Sequence, residues 1–248
     1  MKNILTIAGS DPSGGAGVQA DLATFQYLGA RGFSAITALT AQNEDRFFSL
    51  NSIGTTLIRE QIRSITERYP LAAIKIGLLG TEQTVLSIGR FLETSPAPVV
   101  VLDPVIRSST GSLLTDPRGV ACLREVFLPK VTVVTPNIDE AETLSRMQIQ
   151  SIDDMRAAAE QIFRIGRGIK GVYIKGGHLE TDEPTDLLFD GTSWKLYASK
   201  IRYPKKVHGT GCIFSSALTV FLAEGMPLPE AAARAKEYVT DWIASHQS

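Results

Sequence analysis

Cysteine and histidine are scarce in this sequence. Cys122 and Cys212 are its only cysteines, too few for a disulfide scaffold or a cysteine-rich zinc site. The three histidines, His178, His208 and His246, have no metal-ligand spacing, and H-E-x-x-H does not occur. An excess of charge is missing as well. Twenty-five Lys and Arg against 26 Asp and Glu leave a formal charge of −1, which excludes a strong global pull toward nucleic acid or an anionic membrane. Long apolar runs are also absent: Cys212 to Ala223, the longest, is about a dozen residues, against the roughly twenty of a spanning helix. The first apolar run, Ile4 to Ala8, is shorter than a secretory h-region. These absences describe a cytoplasmic chain with neither nucleic acid nor membrane as partner.

What is present is an ordinary globular composition, 44% apolar and 21% charged over 248 residues, read as one domain spanning residues 1–248. Near-continuous apolar, β-branched runs at Asn3–Ala8, Ala35–Ala41, Ala72–Ile76, Val99–Leu102, Val131–Thr135 and Gly171–Lys175 suit strands buried on both faces of a parallel sheet. Helical patterns alternate with them: a stripe through Val18, Leu22, Phe25 and Leu28, then Leu57–Tyr69, Glu82–Glu93, Arg118–Phe127 and a Ser- or Asp-capped helix from about Ser151 to Ile165. Phe47–Ile53 reads as an extra strand, and Asp186–Asp190 with Trp194–Tyr197 as a late hairpin. Helices Gly211–Glu224 and Leu228–Ser245 close the chain. The expected architecture is an α/β, doubly wound, mostly parallel central sheet with helices on both faces.

The chemistry-bearing residues fall at the carboxyl ends of these strands, where open α/β sheets bind ligands. A glycine cluster, Gly9-Ser10-Asp11-Pro12-Ser13-Gly14-Gly15-Ala16-Gly17, follows the first strand. It lacks the Gly-Lys-Ser/Thr end of a P-loop. Gly15-Ala16-Gly17-Val18-Gln19-Ala20 matches G-x-G-x-x-A, yet it starts well past the strand and no acidic residue ends the next one, which argues against a dinucleotide site. In Gly209-Thr210-Gly211-Cys212 two glycines precede a helix whose free N–H groups and dipole attract anions. Cys212 in that first turn is expected to have a lowered thiol pKa and to accept a proton from a substrate hydroxyl, or else to be a small buried hydrophobe. Asn137 and Glu140 share a helical face, to hold a hydrated Mg²⁺ or simply to form a capping box. Lys175, before Gly176 and Gly177, reaches a phosphate or ends its strand in solvent, and Asp103 and Gln42 sit at two further strand ends.

Taken in order, these segments, together with Gln19-Ala20-Asp21-Leu22, Ala41-Gln42-Asn43, Lys75-Ile76-Gly77, Asp103-Pro104-Val105, Pro136-Asn137, Lys175-Gly176-Gly177-His178 and His208-Gly209-Thr210-Gly211-Cys212, strongly resemble the hydroxymethylpyrimidine and phosphomethylpyrimidine kinases of thiamine biosynthesis. The resemblance covers nearly the whole chain. It implies a ribokinase-like fold, ATP with Mg²⁺, a small-molecule pyrimidine phosphorylated at or beyond its hydroxymethyl group, and a homodimer. By the same resemblance Gly9, Asp21, Gln42 and Val105 line the pyrimidine pocket, and Gly209, Thr210, Gly211 and Cys212 form an anion hole. Asn137 and Glu140 serve Mg²⁺ and phosphates, Lys175 the nucleotide, and Asp103 the metal.

The sequence departs from that pattern around the substrate lid. Leu78 stands where methionine is usual, Glu44-Asp45-Arg46-Phe47 replaces a small Gly-Val pair, and the stretch after Val105 is the altered Arg107-Ser108-Ser109-Thr110-Gly111-Ser112. A Gly- and His-containing tail usual in the family is missing after Trp242. Arg107 beside the proposed pocket offers a fork of donors suited to a substrate monophosphate. The alternatives to a pyrimidine kinase are a pyridoxal-type kinase and a pyrimidine-binding regulator without turnover.

Overall fold

The computed structural model describes residues 1–43, 45–95, 97–108, 111–177, 184–198 and 209–245. His178, His208, His246 and the Ser109-Thr110 pair lie outside them. Among the described residues nine strands form one sheet: β1 (Asn3–Ser10), β2 (Arg31–Gln42), β3 (Phe47–Ser52), β4 (Ala73–Ile76), β5 (Val100–Leu102), β6 (Val133–Val134), β7 (Gly171–Ile174), β8 (Thr185–Phe189) and β9 (Trp194–Ala198). Their order across the sheet is β3-β2-β1-β4-β5-β6-β7-β8-β9. β2, β1, β4, β5, β6 and β7 run parallel, while β3, β8 and β9 join through antiparallel pairings. The chain moves outward from β1 to β2 and β3, then returns to place β4 on the other side of β1. The switch point therefore lies between β1 and β4, where a doubly wound sheet opens its ligand crevice.

Alternation along each strand sends side chains to two cores. Leu5, Ile7, Ile74, Ile76 and Val134 join one cluster with Ile58 and Ile62 of α2 (Thr55–Thr66), Val85 and Ile88 of α3 (Glu82–Thr94) and Ile162 of α6 (Ile152–Gly166). Val101, Val133 and Tyr173 face the other way, against Phe214, Ala217 and Leu218 of α7 (Thr210–Ala223) and Ala231 and Ala235 of α8 (Leu228–Ser245). Ile4, Ala73 and Phe25 of α1 (Gly17–Tyr27) fill a third cluster. Short α4 (Pro117–Cys122) and α5 (Ile138–Ser145) complete the helices.

The expected strands and most helices are present, with shifted ends. The expected Arg118–Phe127 helix instead begins as α4, widens into a π turn at Leu123–Phe127 and closes in a 3-10 turn at Leu128–Lys130, where Pro129 has no N–H to continue an α-helical ladder. α5 was legible only as a first turn at Asn137–Glu140, because its eight residues are too few for a clear period. α6 is capped as expected, Ser151 accepting from the Asp154 N–H.

Ile74 is fully buried on the central β4. Ile74→Ala removes packing from a core that cannot fully collapse around the gap, and is expected to cost about 2–5 kcal/mol. A denaturant titration checks this; a loss below about 0.5 kcal/mol contradicts the assignment.

Candidate active site

The loops following β1, β4, β5, β6 and β7, together with the first turn of α7, close around one cleft. Gly9, Gln42, Val105, Arg107, Asp103, Asn137, Glu140, Lys175, Gly209, Gly211 and Cys212 line it. Most of the expected site residues are thus brought together by the carboxyl edge of the sheet.

Two glycine contacts shape the wall. Gly209 precedes α7 at φ +82°, and a Cβ there would lie 1.7 Å from the Gly15 carbonyl oxygen. Gly17, at φ +62°, begins α1, and its Cβ would lie 2.4 Å from the Gly9 oxygen. No side chain fits at either point, so the two glycine clusters of the sequence lie against each other. Asp11, buried, ties the first loop by accepting from the Ser13 and Ala16 N–H groups at 3.0 Å each. Gln19 holds the end of β1, accepting from Asp11 N at 3.0 Å and donating to the Ser10 hydroxyl at 2.8 Å.

Across the cleft, Lys175 Nζ donates to Asp103 Oδ1 at 2.7 Å, and the Ser215 hydroxyl of α7 donates to Asp103 Oδ2 at 3.2 Å. Burial raises the cost of the Asp103 charge, but Lys175 and then Lys75 outweigh it, so its carboxyl stays below the usual range. Lys175 likewise keeps its proton: burial opposes the charge, and Asp103 and Glu140 more than restore it. A Cβ on Gly211 would come within 3.0 Å of Lys175 Nζ, so the ammonium lies against the first turn of α7. That turn has no side-chain cap, which leaves its backbone donors for an anion.

Asn137 and Glu140 form the reciprocal capping box: Asn137 Oδ1 accepts from Glu140 N and Glu140 Oε2 from Asn137 N, both at 2.9 Å. Burial pushes the Glu140 carboxyl up to about 7, with Lys175 opposing and Asp103 adding to the rise. Among the described residues no group of three His, Cys, Asp or Glu converges as a metal cage. Two carboxylates on one cleft suit Mg²⁺, which usually takes one or two of them and completes its shell with water and phosphate.

Three expectations are corrected in position or state. Asp21 lies beneath the cleft wall rather than on it, fully buried and paired with Lys75 at 2.9 Å. Thr210 heads α7 without appearing among the lining residues. The Cys212 thiol is not lowered: burial pushes it up to about 12, Asp103 and Asp21 adding to the rise against Lys75. The helix-terminus argument weighed only the dipole, and burial with two nearby carboxylates is the larger effect. Arg107 is exposed at the rim, its Nη1 donating to the Gly111 carbonyl at 3.2 Å.

The sequence analysis gave no role to several residues that build this site. Lys75 entered only as part of the Lys75-Ile76-Gly77 segment, Ser215 and Asp186 carry no motif of their own, and only long-range partners mark what the three do. Asp186 of β8 accepts from Gly176 N at 2.8 Å and from Tyr173 and Lys236, fixing the turn after Lys175.

The family model of phosphomethylpyrimidine kinase matches residues 11–248. The chain belongs to the phosphomethylpyrimidine kinase family. Membership makes it a phosphotransferase with the ribokinase-like fold. The chain is 40% identical to the thiamine biosynthesis bifunctional protein ThiED of Geobacter sulfurreducens over 96% of its own length, but spans about half (48%) of that relative. It is 40% identical to the hydroxymethylpyrimidine/phosphomethylpyrimidine kinase of Haemophilus influenzae, covering 98% of this chain and 91% of that one. Among solved structures, the phosphomethylpyrimidine kinase of Clostridium difficile superposes with a TM-score of 0.86 at 37% identity, covering 98% of this chain and all of that one. The pyridoxal kinase of Staphylococcus aureus in complex with AMP-PCP and pyridoxal superposes at 0.87 and 37% identity, covering 97% of this chain and 87% of that one.

A thiol this high in pKa is neutral across the physiological range. Alkylation of Cys212 by iodoacetamide in the free kinase, measured in a Cys122→Ala background, is therefore expected to quicken about tenfold per pH unit from pH 7 to 10. A plateau below pH 8 contradicts the neutral thiol.

Proposed function

We propose that this chain transfers the γ-phosphoryl group of ATP to 4-amino-5-hydroxymethyl-2-methylpyrimidine and to its monophosphate, the latter step giving the pyrophosphate. One observation carries the reading: the uncapped first turn of α7, the Lys175 ammonium and a half-apolar acceptor pocket meet in a single cleft. Phosphoryl transfer asks little covalent chemistry of a protein; it needs two substrates in line and donors where charge develops. The backbone N–H groups of Gly211 and Cys212 supply such donors, and Lys175 neutralises phosphate charge beside them. Cys212 belongs to the site through its N–H and its place on the wall rather than as a ready thiolate. Asp103 and Glu140 would hold a hydrated Mg²⁺, which supplies charge neutralisation on the nucleotide phosphates.

On the acceptor side, Gly9, Leu78 and Val105 give the cleft apolar lining, and Gln42, half-buried at the end of β2, would offer a hydrogen bond to the ring. The cleft accommodates a pyridoxal-sized ring as readily, and the pyridoxal kinase likeness keeps that acceptor as the second reading. We read residues 1–248 as one ribokinase-like kinase domain. A homodimer is supported by the edge strand β3, which pairs only with β2 among the described strands and leaves Phe48 58% exposed. A cytoplasmic location suits ATP use, and among the described residues no helix is long and apolar enough to cross a membrane.

A coupled ADP-release assay with the pyrimidine alcohol, its monophosphate and pyridoxal tests the reading. Turnover on a pyrimidine acceptor exceeding that on pyridoxal is expected; turnover on pyridoxal alone assigns the second reading, and none on any acceptor favours a regulator. Two variants sharpen it. Gly211→Val drives a side chain against the Lys175 ammonium and is expected to lower kcat roughly 10²–10³-fold; near-normal turnover of the folded variant removes the anion hole. Arg107→Ala is expected to lower kcat/KM for the monophosphate about ten- to a hundredfold, with the alcohol unaffected. An unchanged monophosphate value makes Arg107 a surface residue.

A further inference from the structure

Lys75 sits at the end of β4 with a fully buried side chain, among the costliest places to keep a charge. Its support is complete on one side. Asp21 accepts from Lys75 with both carboxylate oxygens at 2.9 Å, from the Thr6 hydroxyl at 2.6 Å and from the Ser216 hydroxyl at 2.7 Å. Four donors on one carboxylate fill its acceptor positions and hold it as a fixed anion. The elements so joined are β1, α1, β4 and α7, and Ser216 lies one helical turn beyond Cys212.

The other side lies next to the cleft, of which Lys75 is a lining residue although its side chain has no exposed surface. An ammonium has three N–H donors, and two carboxylate oxygens leave one over. A Cβ added at Gly77 would lie 3.1 Å from Lys75 Nζ and 2.8 Å from the Ala8 Cβ. The glycine of Lys75-Ile76-Gly77 thus leaves the ammonium its room beside Ala8. The pairing keeps Lys75 protonated: burial alone would discharge it, and Asp21, with Asp103 adding to it, reverses that and raises its pKa. A buried ion pair adds little stability over a well-packed apolar pair of the same volume, so stability alone does not account for a charge at this position.

We propose that Lys75, clamped from behind by Asp21, is a further residue of the transfer step, supplying a fixed positive charge at the cleft floor beside the first turn of α7 that opposes the negative charge developing on the transferred phosphoryl group. Held by both Asp21 oxygens, its orientation is set before substrates arrive, which is the condition under which a charge lowers a barrier without reorganisation. Lys175 differs in role, since it pairs with Asp103 in the cleft and faces the nucleotide phosphates in the reading above, on which this inference rests.

The test compares Lys75→Met with the neutral pair Lys75→Met/Asp21→Asn. The single variant strands a buried carboxylate and is expected to melt lower. The double variant keeps acceptors and donors for Thr6 and Ser216 and is expected to recover the melting temperature. In both, kcat is expected to fall roughly 10²–10³-fold, with KM for ATP and acceptor and Kd for AMP-PCP changed by no more than about threefold. Recovery of kcat together with melting temperature in the double variant overturns the proposal, as does a loss confined to KM. Should Lys75→Met fail to fold, Lys75→Gln, which retains a donor for Asp21, carries the same comparison. A wild-type chain inactive on every acceptor defeats the kinase reading itself and is recognised before any variant is made.

Discussion

The contact between Lys175 and Asp103 ties the site to the sheet. Asp103 ends β5, Lys175 follows β7, and Ser215 of α7 donates to the same carboxylate. One buried anion thereby fixes the spacing of two strand ends and the start of the helix that presents free N–H groups. The contact is 2.7 Å long and the carboxylate is nearly fully buried, so its removal would leave an uncompensated charge, a far larger penalty than loss of an exposed pair. The glycine contacts at Gly17 and Gly209 then set how closely the first loop approaches α7. Charge pairing and backbone approach together define the cleft.

A second buried pair, Lys75 with Asp21, repeats this arrangement at the switch point between β1 and β4. Each pair joins a strand end to α7 through a serine, Ser215 for one and Ser216 for the other. The serines are adjacent in sequence and sit on the buried side of an otherwise apolar helix. Such a helix can begin in a polar cleft and end in the core because the hydroxyls of Ser215, Ser216 and Thr219 find charged or backbone partners. The same low polarity that strengthens these pairs raises Glu140 and Cys212 toward their neutral forms.

The sheet was legible because strands buried on both faces leave near-continuous apolar runs, as at Ile4–Ala8 and Ile74–Ile76. Strand ends were less so: β1 continues through a register shift between Ala8 and Ser10, a feature of backbone pairing that leaves no apolar signature. Gly209, Gly211, Lys175 and Asp103 were readable as site residues from their place after strands. Asp21 was assigned to the pocket by resemblance, but its place beneath the wall was not readable, since its partner Lys75 is 54 positions away and nothing local reveals the pairing. The Cys212 thiol misled for a related reason. The sequence shows the helix start beside it but not the carboxylates of Asp103 and Asp21 that the fold brings near.

The central claim is that the first turn of α7, beside Lys175, is where the phosphoryl group passes. A crystal structure with AMP-PCP and the pyrimidine alcohol tests it most directly. The account predicts the γ-phosphate oxygens within about 3 Å of the Gly211 and Cys212 N–H groups, with the acceptor hydroxyl in line between them and Val105. A γ-phosphate bound outside this turn, with the acceptor in the same cleft, would contradict it.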